Sequence, residues 1–275
     1  MKKYQIRKSV VAAVLLIIAT SFILTGCIGS STGADNSWEK IKEKGEFVLG
    51  LDASFPPMGF TDENGEIVGF DIDVANEVFS RLGVALKLQP IIWDAKEQEL
   101  NSGNIDCIWN GFTINDERKE KVLFTKPYMR NRQVLLVTGD SKYSKLSDFE
   151  GKKLGLQAGS SANDALDSSE DFKSKLKEVV FFDDNMSALL DLEIGGVDVV
   201  LLDEIVARYY MQTKDKGFKL LDEALAEEEF GIGFRKGDKK LMQKVQGTLN
   251  EMSKDGKLAE ISTKWFDRDI TIVGK

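Results

Sequence analysis

The stretch that decides the fold is IDCIWNGFTINDER, residues 105–118. Residues 105–109 have the pattern of a buried strand, and the residues that follow are small or polar. We predict a strand at 105–109 and a turn at 110–113 with free backbone N–H groups. Arg118 lies five residues beyond Thr113. A guanidinium fork and free N–H groups at the mouth of an α/β sheet can hold a small anion, and a solvated polar loop is the alternative.

The first 26 residues are typical of a targeting segment. Four basic residues between positions 2 and 8 precede an almost wholly apolar run at 10–24, which ends in Leu-Thr-Gly before Cys27. This ending resembles a bacterial lipobox. We therefore predict that residues 1–26 are a lipoprotein signal peptide and that Cys27 receives a diacylglyceryl lipid with palmitate-type chains, which anchors the protein to the membrane. A plain secretory peptide, in which Cys27 is incidental, is the alternative.

The composition excludes several kinds of chemistry. The chain has a net charge of −8, and removal of the basic leader makes it more acidic, which argues against nucleic acid as a partner. Histidine is absent, so neither a Ser-His or Cys-His pair nor a His-ligated metal site can form. We predict no metal and no cofactor. Cys107 is predicted to be a buried, inert thiol, and Asp62–Glu66 a hairpin turn rather than a calcium loop.

Strand and helix patterns alternate along the chain, which predicts an α/β fold with sheets covered on both faces. Residues 27–37 are predicted to be a flexible tether. The acidic clusters Asp183-Asp184 and Glu227–Glu229 are predicted to be solvated loops and helix ends. The predicted strands are 47–51, 86–92, 105–109, 133–138, 153–157, 179–182, 197–202 and 230–234. The predicted helices are 38–44, 71–82, 95–100, 162–166, 186–193, 204–211, 239–253 and 257–266.

Seven short motifs follow one another behind the lipobox, and a Lys264-Trp265-Phe266 segment closes the series. They are Phe55-Pro56-Pro57-Met58, Gly69–Ala75, Gly103-x-Ile105-Asp106, Gly111-Phe112-Thr113 with Arg118, Phe124–Tyr128, Gln157–Ala162 and Leu202-Asp203. In this order they resemble the extracytoplasmic solute-binding proteins of polar amino acid ABC importers, family 3. The resemblance covers essentially the whole mature chain.

The resemblance implies a two-lobed periplasmic-binding-protein-like fold of type II. Two mixed sheets would form the lobes, and the ligand would lie in the cleft between them. Lobe 1 would comprise residues 38–129 and 230–275, and lobe 2 residues 134–227. A hinge of two crossing strands, near 130–133 and 228–230, would join the lobes and let them close on the ligand.

The resemblance also implies the partners of an amino acid. Arg118 would take the α-carboxylate as a fork, helped by the hydroxyls of Thr113 and of the Ser160-Ser161 pair. Asp203 and the carbonyl of Gly111 would take the α-ammonium, since burying a zwitterion is costly unless both charges are paired. Phe55 and Trp93 would sandwich the ligand side chain. Packing in the core is the alternative for both rings.

Specificity would depend on Asp52, Asn110 and Gln157, which match positions that face the ligand side chain. An acid beside aromatic faces suits a cationic group, so arginine is favoured, then lysine or histidine. Glutamine and cystine remain open because Asp52 also accepts from an amide or ammonium donor. Glutamate and aspartate are disfavoured by repulsion. Whether Trp109 lines the pocket or packs in lobe 1 is left open.

The predicted function is that of a monomeric, lipid-anchored extracytoplasmic binding protein that delivers an amino acid to a membrane permease with a cytoplasmic ATPase. It is predicted not to be an enzyme. A periplasmic-type dehydratase on the same scaffold is the main alternative. A sensor or cell-wall-enzyme module is a third, which would need a further domain.

Overall fold

The computed structural model describes residues 34–213 and 217–275. The predicted signal peptide, the lipid-bearing Cys27 and most of the predicted tether lie outside these ranges. Residues 36–275 form one compact unit. Within the two described ranges, no helix has both the length and the apolar content needed to cross a membrane.

Strands and helices alternate broadly as predicted. The strands are β1 Glu46–Leu51, β2 Ser54–Phe55, β3 Gly59–Thr61, β4 Ile67–Val68, β5 Ala85–Pro90, β6 Cys107–Thr113, β7 Val122–Phe124, β8 Met129–Thr138, β9 Lys153–Gln157, β10 Glu178–Phe182, β11 Val199–Asp203 and β12 Phe218–Arg235. The helices are α1 Ser37–Lys44, α2 Phe70–Leu82, α3 Lys96–Ser102, α4 Asp116–Lys121, α5 Ser161–Asp167, α6 Glu170–Lys173, α7 Asn185–Glu193, α8 Glu204–Thr213, α9 Lys239–Lys254 and α10 Lys257–Phe266. Two 3₁₀ turns cover Trp93–Ala95 and Leu146–Phe149.

The helix α2 shows how the sequence pattern sets an element. Val74, Val78 and Phe79 lie on one face and are buried, as the 3.6-residue period requires. Gly83 ends the helix in the left-handed region at φ 68°, and its N–H donates to carbonyls of the last turn. The predicted start at Asp71 is one residue late, because Phe70 already begins the helix.

A mixed sheet of nine strands runs in the order β10-β9-β11-β8-β12-β6-β1-β5, with β7 paired to β12. The strands of the predicted lobe 2, β9, β10 and β11, lie at one end, and those of the predicted lobe 1, β1, β5 and β6, lie at the other. The two crossing strands lie between them, paired antiparallel from Phe218 with Thr138 to Phe230 with Met129. They are longer than the crossings predicted near 130–133 and 228–230. Their pairing joins the two predicted sheets into one hydrogen-bonded path.

The turn predicted at residues 110–113 is wrong, because β6 continues to Thr113 and is buried throughout. The extension comes from β12, where Phe230 pairs with Thr113. Gly111 sits within the strand at φ 58°, and a Cβ there would lie 2.8 Å from the ring of Phe55. Only glycine meets both the positive φ and the close approach. The loop begins at Ile114 instead.

The prediction that Glu227–Glu229 are solvated is wrong for its central residue. All three glutamates lie in β12, with Glu227 and Glu229 exposed and Glu228 half-buried. Side chains alternate across a strand, so pairing of Glu228 with Asn131 on β8 turns its carboxylate inwards. The helix-forming composition of this segment is overridden by the tertiary pairing. Asp184, by contrast, caps α7 through the Ser187 N–H at 2.7 Å, as predicted for a helix end.

The structure decides one open question and two further predictions in lobe 1. Trp109 is 1 % exposed and packs in the main apolar core, so it does not line an open pocket. Cys107 is buried, and burial raises the pKa of its thiol well above the ordinary value, as expected of an inert cysteine. The carboxylate of Asp62 accepts from the backbone N–H groups of Asn64 and Glu66, both at 2.9 Å, which closes the predicted hairpin turn.

Candidate ligand-binding site

Residues from the two ends of the sheet contact each other across the cleft. The hydroxyls of Thr113 on β6 and Ser161 on α5 are 3.0 Å apart. Arg118 in lobe 1 donates to the carbonyl of Gly159 in lobe 2 at 3.2 Å. The predicted carboxylate-binding residues therefore converge, although they come from separate elements.

The guanidinium of Arg118 is buried at 5 % exposure. It donates to the carbonyls of Thr113 and Gly159 and lies 3.7 Å from Asp164 and 4.9 Å from the ring centroid of Phe112. Burial lowers the pKa of Arg118, and Asp164 opposes this shift. Its fork thus faces mainly neutral acceptors. A ligand carboxylate that replaced one of them would form a stronger, charge-assisted hydrogen bond.

The hydroxyls of Thr113 and Ser161 have an internal carboxylate partner that the sequence analysis missed. The Oε2 of Glu228 lies 3.0 Å from the Thr113 hydroxyl and 3.2 Å from the Ser161 hydroxyl. The side-chain amides of Asn131 and Gln133 also donate to it, each at 3.1 Å. Four donors therefore surround one glutamate oxygen. In the sequence, Glu228 is the middle one of three consecutive glutamates at a predicted crossing strand. Nothing in that local pattern indicates which of the three faces inwards.

Asp203 ends β11 and is 4 % exposed. Its Oδ1 accepts from Asn131 Nδ2 at 2.7 Å, the same nitrogen that donates to Glu228. Burial first and the charge of Glu228 second raise the pKa of Asp203, while Gln133 and Arg118 oppose the shift. The predicted ammonium partner therefore belongs to a coupled pair of acids, one buried and one half-buried, that shares one amide donor.

Two predicted site residues have structural partners. The hydroxyl of Ser160 donates to the carbonyl of Gln157 at 2.7 Å, within its own loop. The N–H of Gly111 donates to Asp71 Oδ2 at 2.8 Å, and the Tyr128 hydroxyl donates to the same oxygen at 3.0 Å. Burial raises the pKa of Asp71 to about 7, although these two donors lower it. Asp71 thus joins α2, the site strand and the start of the crossing strand β8.

The three residues predicted to face the ligand side chain are brought together. Asn110 Oδ1 accepts from the backbone N–H of Asp52 at 3.1 Å, and Gln157 Nε2 donates to Asp52 Oδ2 at 2.8 Å. Asn185 in turn donates to the Gln157 side-chain oxygen at 3.2 Å. Burial raises the pKa of Asp52, Gln157 lowers it, and the charge of Asp184 raises it further. Two acids therefore lie at this end of the cleft.

The two aromatic residues are both buried but belong to different apolar clusters. Phe55 packs in the main core. Trp93 packs edge-on against Phe112, with centroids 5.8 Å apart, in a second cluster. Because Phe112 also lies under Arg118, Trp93 supports the guanidinium through an intervening ring. The core-packing alternative therefore describes the observed contacts of Trp93, and the predicted sandwich stays a prediction.

Lys96 is a second cation at the cleft that the sequence analysis missed. It is 3 % exposed, and its Nζ donates to the Gly159 carbonyl at 2.8 Å, beside the Arg118 contact. Burial and the charge of Arg118 lower the pKa of Lys96 to about 8. Two lobe 1 cations therefore hold one lobe 2 carbonyl.

A cavity of about 670 Å³ adjoins the site. Its lining includes the acids Glu204 and Glu227–Glu229, with Asn131 and Ile114. It also includes the cations Lys119, Arg130 and Arg132. Glu228 therefore borders both the hydroxyl pair and an open space whose wall carries charges of both signs.

Comparison with known proteins decides the family. Residues 47–268 match the family model of the bacterial extracellular solute-binding proteins, family 3. The chain belongs to this family. It is 31 % identical over 253 residues to the L-cystine-binding protein TcyJ of Escherichia coli K12, which covers 90 % of this chain and 93 % of that one.

Solved structures of this family have the same two-lobed fold. A substrate-binding protein of an ABC uptake transporter from Streptococcus pneumoniae, with bound histidine, superposes at TM-score 0.84 with 39 % identity and covers 87 % of this chain and 99 % of its own. Tv2483 bound to L-arginine superposes at 0.82 with 30 % identity, covering 88 % and 98 %. The ancestral amino acid-binding protein AncCDT-1, a precursor of cyclohexadienyl dehydratase, gives 0.76 with 32 % identity, covering 83 % and 98 %.

Proposed function

We propose that this solute-binding protein captures a polar amino acid and delivers it to the permease of an ABC importer with a cytoplasmic ATPase. The observation that carries the proposal is the convergence of Arg118, Thr113, Ser161 and Asp203 from both ends of the sheet. One guanidinium, two hydroxyls and a carboxylate are the partners a buried α-amino acid needs. The named relatives, which bind cystine, histidine or arginine, support an amino acid as the ligand.

The capture step would be a hinge closure. Residues 38–129 with 230–275 would move as lobe 1, and 134–227 as lobe 2, about β8 and β12. A ligand that touches both lobes binds the closed form more tightly and shifts the population towards it. The cross-cleft contacts of Asn115 with Asp164, at 2.9 Å, and of Lys96 with Gly159 support a closed arrangement of this kind.

The ligand backbone would be held at both charged ends. Arg118 would turn its fork from neutral carbonyls to the α-carboxylate, with the hydroxyls of Thr113 and Ser161 alongside. Asp203 and the Gly111 carbonyl would take the α-ammonium. Each charge-assisted hydrogen bond contributes roughly 1.5–3 kcal/mol, so a few of them suffice to favour closure.

The ligand side chain is proposed to be cationic, with arginine favoured, then lysine or histidine. Asp52 lies deep in the cleft, and Asp184 adds a second negative charge. A ligand guanidinium beside these two acids would compensate their negative charges, which otherwise repel each other. Gln157 and Asn110 supply amide groups beside these acids, so glutamine and cystine remain secondary candidates.

A binding role is favoured over the dehydratase alternative. Two observations support the alternative. One is the similarity to AncCDT-1, a precursor of a dehydratase, and the other is the raised pKa of Asp203, which suits a proton donor. Incubation with prephenate or arogenate separates the two functions. We expect no product, and turnover lost in Asp203→Asn would establish the enzyme instead.

Cys27 is proposed to anchor the mature, monomeric protein to the membrane by its lipid. The lipobox sequence supports this attachment. We expect Cys27→Ser to lose labelling by palmitate and to leave the membrane fraction. Retained labelling would contradict the assignment.

The experiment that tests the proposed function is a thermal-shift screen of the mature protein against the twenty amino acids, cystine and ornithine. A ligand at about 1,000 times its Kd stabilises the bound protein by roughly 4 kcal/mol, which gives a clear rise in Tm. We expect arginine to give the largest rise. If no amino acid changes the Tm, the proposed function is wrong.

A further inference from the structure

The carboxylate of Glu228 has a place in the site that the proposed function does not explain. A bound amino acid with a cationic side chain needs one cation for its carboxylate and two acids for its positive groups. Arg118, Asp203 and Asp52 meet these needs. Glu228 is a further acid, yet its Oε2 contacts the same Thr113 and Ser161 hydroxyls that the ligand carboxylate would use.

The Oε2 of Glu228, the oxygen that faces the two hydroxyls, is a poor partner for the α-ammonium. Its Oε2 is already surrounded by four donors, the two hydroxyls and the amides of Asn131 and Gln133. An oxygen with two lone pairs has no favourable place for a fifth donor. Asp203 Oδ1 accepts from Asn131 and keeps capacity for another donor. The ammonium is therefore better placed at Asp203.

We propose that Glu228 is an internal competitor of the ligand: its carboxylate occupies the Thr113 and Ser161 hydroxyls and must swing away before the carboxylate of an amino acid can bind there. This inference rests on the proposed function and concerns the regulation of the same site. Two carboxylates cannot share one pair of hydroxyls, because like charges in a partly buried site repel.

The structure offers the displaced side chain a destination. Glu228 lines the adjoining cavity of about 670 Å³, whose wall carries three cations and three further acids. Lys119 is held by Asp116 at 2.9 Å and Arg132 by Glu204 at 2.6 Å. Arg130 is largely exposed and lies 3.8 Å from Glu229, so its guanidinium is not fully engaged by a close ion pair. A rotation of Glu228 from the hydroxyls towards this cavity would exchange its neutral donors for the guanidinium of Arg130.

Competition of this kind has two consequences. The apparent affinity for the ligand is the intrinsic affinity multiplied by the fraction of molecules in which Glu228 has left the hydroxyls. The lobes are also held together without ligand, because Thr113 belongs to lobe 1 and Ser161 to lobe 2, and Glu228 contacts both. The same residue thus favours release of a bound amino acid and closure of the free protein.

The test compares Glu228→Gln with wild type by calorimetry. The first probe is L-arginine, or whichever amino acid gives the largest Tm rise. The second probe is the carboxamide of the same amino acid, which is argininamide for arginine. Glutamine keeps the shape of the side chain and removes the charge. We expect the amino acid to bind roughly tenfold more tightly to the variant and the carboxamide to show no gain, because it has no carboxylate to compete. Asp222→Asn, which alters an exposed acid of the same strand outside the cavity lining, should bind like wild type.

A second measurement does not depend on the ligand. Small-angle scattering of the ligand-free proteins should give a larger radius of gyration for Glu228→Gln than for wild type or Asp222→Asn. Weaker binding of both probes would show instead that Glu228 is an ammonium partner, which would overturn the proposal. Unchanged affinity together with an unchanged radius of gyration would also overturn it. Failure of wild type to bind any amino acid would count against the proposed function itself.

Discussion

The side-chain amide of Gln157 donates to Asp52 Oδ2 at 2.8 Å across 105 residues of sequence. Asp52 follows β1 at one end of the sheet, and Gln157 ends β9 at the other. An acid at the side-chain end of the cleft is therefore held by the opposite lobe. This one hydrogen bond therefore links closure of the lobes to the residue that is proposed to recognise the ligand side chain.

We expect Asp52→Asn to weaken arginine binding by roughly 10- to 100-fold and glutamine binding by less than about fivefold, since a charge-assisted bond contributes more than a neutral one. Asparagine keeps an oxygen that can accept from Gln157, so the contact across the cleft is preserved. Competition calorimetry with both amino acids measures the ratio. Equal losses for the two would refute the cationic specificity.

We expect Arg118→Ala to weaken amino acid binding by roughly 100-fold or more, because two charge-assisted hydrogen bonds to the carboxylate are lost. Arg118→Lys should recover only part of the affinity, since an ammonium cannot form the bidentate fork. Lys121→Ala, an exposed residue of the same helix, is the matched control. Circular dichroism establishes that each variant is folded, and unchanged affinity in Arg118→Ala would remove it from the site.

The affinity for an amino acid should rise with pH towards the raised pKa of Asp203 and level off above it. Burial and Glu228 favour the protonated acid in the free protein, and the ligand ammonium favours the carboxylate. Binding near neutral pH should therefore release a proton. Calorimetry in buffers of different ionisation enthalpy counts the protons. Asp203→Asn should abolish the release, and wild type that releases none would contradict the ammonium assignment.

The free energy of unfolding should contain a component from Asp71 that falls as pH rises. Its pKa is raised to about 7 in the folded protein, so the folded state binds more protons than the unfolded state between about pH 4 and 7. This stabilisation is fully present below the unfolded pKa and is lost as pH rises through the folded one.

We therefore expect wild type to lose up to about 4 kcal/mol relative to Asp71→Asn between pH 4 and pH 8. Urea denaturation of both proteins at several pH values measures how the difference in their unfolding free energies changes with pH. A difference that is constant with pH does not affect this comparison. Glu63→Gln, at an exposed loop acid, should follow wild type. Parallel curves for wild type and Asp71→Asn would show that Asp71 is ionised throughout.

The elements could be predicted where the signal is local. The apolar face of α2 and its stop at Gly83, or the strand at Lys153–Gln157, depend on residues close in sequence. The convergence of Arg118, Thr113 and Ser161 was also predictable, because each sits in a short motif. The contacts of Trp93 were harder to predict, since it reaches Arg118 only through the ring of Phe112.

The sequence by itself determined the family, the alternation of strands and helices, and the residue types gathered at the cleft. Only the tertiary structure decided that β6 extends to Thr113 and that Glu228 turns into the site. Both depend on how β12 pairs with distant strands, and a register shift of one residue would have faced Glu228 to solvent. Register is a property of contacts between distant segments, which no local pattern of acids can encode.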